Sequence, residues 1–163
     1  MRFLLSVAII LFSQEAYVSG SPKYIGRDEL IASSQAIIIA KKLKGHDAST
    51  ITGHGNRFKI VEVIMSKYPE LKLGSIIDVA GAFDDLFAAI DAGVKRGEPR
   101  PIPILPFYKG KLSEAQFKTS EKVILFLSKN VSGAFCFAAG NAYEAVLEKS
   151  ALSKLILKEN KAQ

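Results

Sequence analysis

Apolar positions along the chain follow two rhythms. A period of two, or a short run of β-branched residues, marks strands, and a period near 3.6 marks helices. Residues 36–40 (AIIIA) form a block of strand length. Residues 57–65 (RFKIVEVIM) alternate, with Phe58, Ile60 and Ile64 on one face and Val61, Val63 and Met65 on the other. Apolar side chains on both faces predict a strand that is central or strongly bent. A turn containing Tyr68-Pro69 and closing at Gly74 leads to a third strand at 75–79, and 123–127 (VILFL) reads as a core strand. Turn chemistry at 130–133 pairs that strand with 133–138.

Helical spacing occurs at three places. Residues 26–35 predict a short helix, with Asp28 placed to cap it and Leu30 and Ile31 turned inward. Phe83, Leu86, Phe87 and Ile90 recur on one helical face, with Gly93 as the stop. Leu152, Leu155 and Ile156 do the same within 150–158, while 143–147 fits either a final strand or the start of that helix. Two stretches read as irregular. Residues 44–55 are polar and punctuated by glycine, and the four prolines of 95–111 oppose regular ladder pairing over most of that segment. The sum is a mainly β fold: a small closed or partly open OB-like barrel with a short N-terminal helix, a helical insertion and a C-terminal helix. Its interior is expected to hold Ile38, Ile60, Val63, Ile77, Ile124 and Phe126.

The first residues change the picture of where the chain works. Arg2, an apolar run at 3–12 and the small-residue exit Val18-Ser19-Gly20 have the order of a cleavable signal peptide. The run is too short to span a bilayer, which takes about 20 residues. The expectation is a signal at 1–20, cleaved after Gly20, and a single barrel domain at 21–163, periplasmic or extracellular, with no permanent membrane anchor. The one cysteine, Cys136, cannot form an internal disulfide, and its apolar setting predicts a buried, inert thiol. The net charge of +6 favours anionic surfaces without naming one.

The order of blocks carries a resemblance. Residues 28–34 (DELIASS) enter the strand at 36–41; then follow 57–63 (RFKIVEV), 73–79 (LGSIIDV), Tyr108 and 120–127 (SEKVILFL). This resembles exported bacterial proteins with an OB-like barrel akin to the netrin and tissue-inhibitor-of-metalloproteinases modules, over roughly residues 26–130. The resemblance implies the barrel. The inhibitors of that class place an N-terminal cysteine on a target's zinc, whereas the expected mature terminus here is Ser21-Pro22-Lys23, so that activity does not carry over.

Candidate chemistry is sparse. His46, Asp47 and His54 share one glycine-flanked loop with no third nitrogen or sulfur ligand, so no metal or other cofactor is expected. Asp84, Asp85 and Asp91 read as helix charge, and Ser33-Ser34 lacks a nucleophile-elbow context. The expectation is therefore not an enzyme but a non-catalytic binding or interaction module of the cell envelope. The alternatives are a structural or assembly factor for another exported protein, or an enzyme whose site is too dispersed to see. Nucleic acid is not an expected partner. The candidate contact for an anionic envelope component is Lys95, Arg96, Arg100, Lys109 and Lys111, stiffened by prolines, with Phe107 and Tyr108 as flat apolar surface beside them.

Overall fold

The β-branched block at 36–40 lies at the centre of a sheet that curls almost closed. The computed structural model describes residues 21–43 and 56–161. The expected signal peptide and the loop histidines His46 and His54, with Asp47, lie outside the described residues. In chain order come β1 (Ser21–Ile25), α1 (Arg27–Ser33), β2 (Ala36–Lys42), β3 (Asn56–Ser66), β4 (Ile76–Val79) and α2 (Asp84–Lys95). These are followed by β5 (Ile104–Tyr108), α3 (Glu114–Thr119), β6 (Lys122–Lys129), β7 (Phe135–Phe137), β8 (Tyr143–Ala145), a 3₁₀ turn (Val146–Glu148) and α4 (Lys149–Lys161).

The main sheet has the order β4-β3-β2-β6-β7, with β8 also paired to β6, and all of its named pairings are antiparallel. The seam closes where Ala80 bridges Cys136 in parallel: the Ala80 N–H donates to Phe135 O at 2.8 Å and the Phe137 N–H to Ala80 O at 3.2 Å. A meander β2-β3-β4, a return of β6 to β2 and closure of β7 on β4 make the Greek-key path of an OB-like barrel. The fold is mainly β, as the strand pattern predicts, and 143–147 resolves into strand β8 followed by the 3₁₀ turn.

Residues directly opposite in an antiparallel ladder share a side of the sheet. Ile38 faces Val63 and Leu125, Ala40 faces Ile60, Phe58 faces Ile77, Leu127 faces Phe137 and Leu125 faces Tyr143. These side chains fill the barrel. Phe117 of α3 plugs it, stacked on Tyr143 at 4.0 Å and edge-on to Phe137 at 6.4 Å. Ile124 and Phe126 instead face Ile39 and Ile37, so they point outward, against the expectation for the interior. They are still fully buried, because a second layer covers that side: Tyr108 meets Phe126 at 6.1 Å, and α1 and the 3₁₀ turn lie against β6.

Strict alternation along β3 also fails. The register skips Ile64 and Val61, two bulges that bend the strand and bring Val63 to the same side as Ile60. The bend was expected from the pattern; the face assignment beyond Ile60 was not. At the helices, Gly26 rather than Asp28 is the N-cap of α1, and Asp28 sits in its first turn. Gly93 is buried inside α2, which runs on to Lys95, and Gly97 at φ +86° makes the left-handed exit instead.

The largest departure is in the proline-rich segment. Its end, β5, pairs in parallel with β1, a strand the pattern did not reveal. Pro106 is tolerated because its missing N–H would point away from β1: its carbonyl turns to the Gly140 N–H at 3.0 Å, and the Tyr108 N–H donates to Gly140 O at 2.8 Å.

Candidate anion-contact surface

The cations of 95–111 are exposed but mostly engaged. Arg96 pairs with Glu98 at 2.9 Å, Arg100 with Asp91 at 2.6 Å and Lys111 with Glu148 at 3.2 Å. The Lys109 ammonium lies 6.0 Å from the Tyr24 ring, and Lys95 is the last residue of α2. The structure thus spreads these residues over the end of α2, the segment leading to β5 and the loop after β5. Local ion pairs offset much of the charge that the linear sequence brings together.

Tyr108 does not present a flat apolar surface. It is buried, and its hydroxyl donates to Glu144 Oε1. Burial, and then the Glu144 carboxylate, push its pKa up to about 12. Phe107 is half-buried, with its ring 5.5 Å from Phe83 and packed on Gly140.

Around Tyr108 lies a cluster that sequence reasoning missed. Arg27 Nε donates to Glu144 Oε1 at 2.7 Å, and Arg27 Nη2 donates to Glu148 Oε2 at 2.9 Å. Burial works against the Arg27 charge, but its hydrogen bonds with Tyr108, Glu148 and Glu144 outweigh that and raise its pKa. The hydrogen bonds from Arg27 and Lys111 hold Glu148 below the usual carboxylate range. The Glu144 side chain is 1% exposed, and among the described residues its Oε2 has no hydrogen-bond partner. Two acids and two bases meet here from α1, β8, the 3₁₀ turn and the loop after β5, so the cluster clamps these elements together. The only signal in the sequence was a lone acid, Glu144, among apolar neighbours in a strand; Arg27 lies 117 positions away.

The other polar groups weighed in the sequence have structural partners. Asp84 accepts the Gly81 N–H at 2.8 Å, Asp85 the Val131 N–H at 2.9 Å, and Asp91 holds Arg100. Ser33 and Ser34 both donate to Leu30 O. Cys136 is buried, as its setting predicts; burial first, then Asp85 and Asp84, raise its pKa to about 11. Among the described residues no group of three or more His, Cys, Asp or Glu is placed to hold a metal ion, and no helix is long and apolar enough to cross a membrane. Comparison with protein-family models, with curated proteins and with solved structures gives no match.

Proposed function

We propose that the protein is an exported, non-catalytic interaction module of the cell envelope that meets its partner on the outer surface of the barrel. The observation that carries an outer-surface partner is the filled interior. Phe58, Leu125, Leu127, Phe137 and Tyr143, with Phe117 as plug, are each under 2% exposed, so a ligand inside would have to displace the core. Export rests on the charge, apolar run and small-residue exit of residues 1–20. A relationship to the netrin and tissue-inhibitor-of-metalloproteinases modules belongs to the same reading and rests on the sequence blocks at 28–34, 57–63 and 73–79. The inhibitors' zinc chemistry does not belong to it, because Cys136 is buried in β7.

The test is fractionation of the full chain expressed in a bacterial host, followed by intact-mass measurement and capture from envelope extract. The reading expects a product beginning at Ser21 outside the cytoplasm, and an envelope component retained by the native but not the denatured protein. A product that keeps Met1 in the cytoplasm would overturn export. A hydrolytic activity abolished by one substitution that leaves the protein folded would overturn the non-catalytic part.

A further inference from the structure

Among the described residues, the outer side of the barrel carries an exposed row whose charge pattern breaks a rule of sheet pairing. Lys41 of β2 lies directly opposite Lys122 of β6 on one side and Lys59 of β3 on the other, and Lys59 lies opposite Ile76 of β4. All four are exposed. Three lysines therefore stand side by side across adjacent strands, about 4.8 Å apart at the backbone. Like charges directly opposite one another destabilise a sheet. Only Lys41 has a carboxylate partner, Glu121 at 2.7 Å; among the described residues Lys59 and Lys122 have no ion pair. On the same side, Arg57 is paired with Asp78 at 2.8 Å. The four cations thus face two acids, and the surplus sits on Lys59 and Lys122.

At the end of this row the surface turns aliphatic. Ile76 is 58% exposed, and Leu73, in the turn that enters β4, is 76% exposed. Lysine is a mobile point charge without the planar fork with which arginine grips one fixed carboxylate. A cationic row next to exposed aliphatic side chains matches a surface with anionic headgroups above an apolar layer. A single nucleic-acid strand would call for aromatic stacking platforms. The one large exposed aromatic among the described residues, Tyr24, is on β1.

We propose that the Lys122–Lys41–Lys59 row, with Ile76 at its end and Leu73 in the adjoining turn, is a docking face for an anionic lipid surface. It deepens the interaction-module reading by naming the face and the partner. Binding is peripheral and reversible: lysines meet headgroups, and the aliphatic side chains enter the boundary below them.

The experiment is co-sedimentation of the purified protein with vesicles of phosphatidylglycerol mixed with phosphatidylcholine, against phosphatidylcholine alone. Binding is expected only with the anionic lipid and should weaken with salt. The K41Q/K59Q/K122Q variant should bind at least about tenfold more weakly. Its melting temperature should equal or exceed the parent's, because the like-charge row is gone. K59Q/K122Q, which leaves the Lys41–Glu121 pair intact, serves as the second variant. I76S should weaken binding while leaving its salt dependence unchanged. The control K67Q/K154Q/K158Q removes three exposed lysines elsewhere and should bind like the parent. Equal loss in the control would reduce the effect to net charge and overturn the proposal. So would tighter binding to polygalacturonate or oligodeoxythymidylate than to the vesicles, or unchanged binding by the row variants. If the row fails while an envelope protein is captured by the native chain, only this inference falls and the interaction module stands.

Discussion

Glu144 shares one carboxylate oxygen between the Arg27 guanidinium and the Tyr108 hydroxyl, and that sharing decides what its loss would do. Removing one partner of a buried ion pair leaves the other charge uncompensated, which costs about 3–5 kcal/mol, whereas replacing both by apolar groups of similar volume is close to neutral. Arg27→Met should therefore destabilise the protein by about 3–5 kcal/mol in urea denaturation. The Arg27→Met/Glu144→Leu double variant should be more stable than Arg27→Met alone. If the double variant lost the sum of the two single effects, the pair would not be coupled and the clamp would be the wrong description. At Cys136 the raised pKa keeps the thiolate scarce at neutral pH, and burial blocks access. Native protein should label with a thiol reagent far more slowly than urea-unfolded protein. Cys136→Ala should cost about 1 kcal/mol, since a small buried group leaves a small void.

At the scale of elements, the parallel β1–β5 ribbon is attached to the barrel where Phe107 bridges Gly140. A Cβ on Gly140 would come within 2.5 Å of the Phe107 ring, which also packs on Phe83. Gly140→Ala should push the ring off and cost about 1–3 kcal/mol, the usual range for overpacking. Adding Phe107→Leu should recover part of that loss in thermal melts; no recovery would mean that the cost lies in the backbone at Gly140. This junction also shows what the sequence could carry. Strands whose signal is their own hydrophobic pattern, β2, β3, β4 and β6, were legible, and so was the turn into β7, where Asn130 and Gly133 supply the chemistry. β1 was not, because SPKYI has no apolar alternation, exposes four of its five residues and gains its strand state from pairing with β5. Helix α3 is short but did leave a mark, the capping box of Ser113 and Gln116, which the pattern reading passed over. The candidate contact surface was the least legible part. Whether Arg96, Arg100 and Lys111 are free depends on acids that the fold brings to them, and the lysine row exists only through strand register.

Taken whole, the molecule is two apolar layers that share one sheet, a filled barrel inside and a partly covered outer side, and both layers bury groups whose pKa burial raises. Tyr143 belongs to the interior, Tyr108 to the outer layer and Cys136 to the seam between β4 and β7. Burial is the first cause of the shift at each: it raises the two tyrosines from 10.0 to about 12 and the thiol from 9.0 to about 11. A raised pKa means that the folded chain holds the proton more tightly than the unfolded one. The stability it contributes is fully present below the ordinary value and is lost as pH climbs toward the folded value. The protein should therefore keep its urea midpoint up to about pH 9, and the midpoint should fall steadily between about pH 9 and pH 12. Tyr143→Phe separates this from general alkaline damage. The ring can still stack on Phe117, so the neutral-pH stability should change little, while one of the three ionisations disappears and the alkaline slope becomes shallower. A parent whose urea midpoint did not move between about pH 9 and pH 12, or a Tyr143→Phe variant with an identical slope, would show that these groups are not held protonated by the two layers.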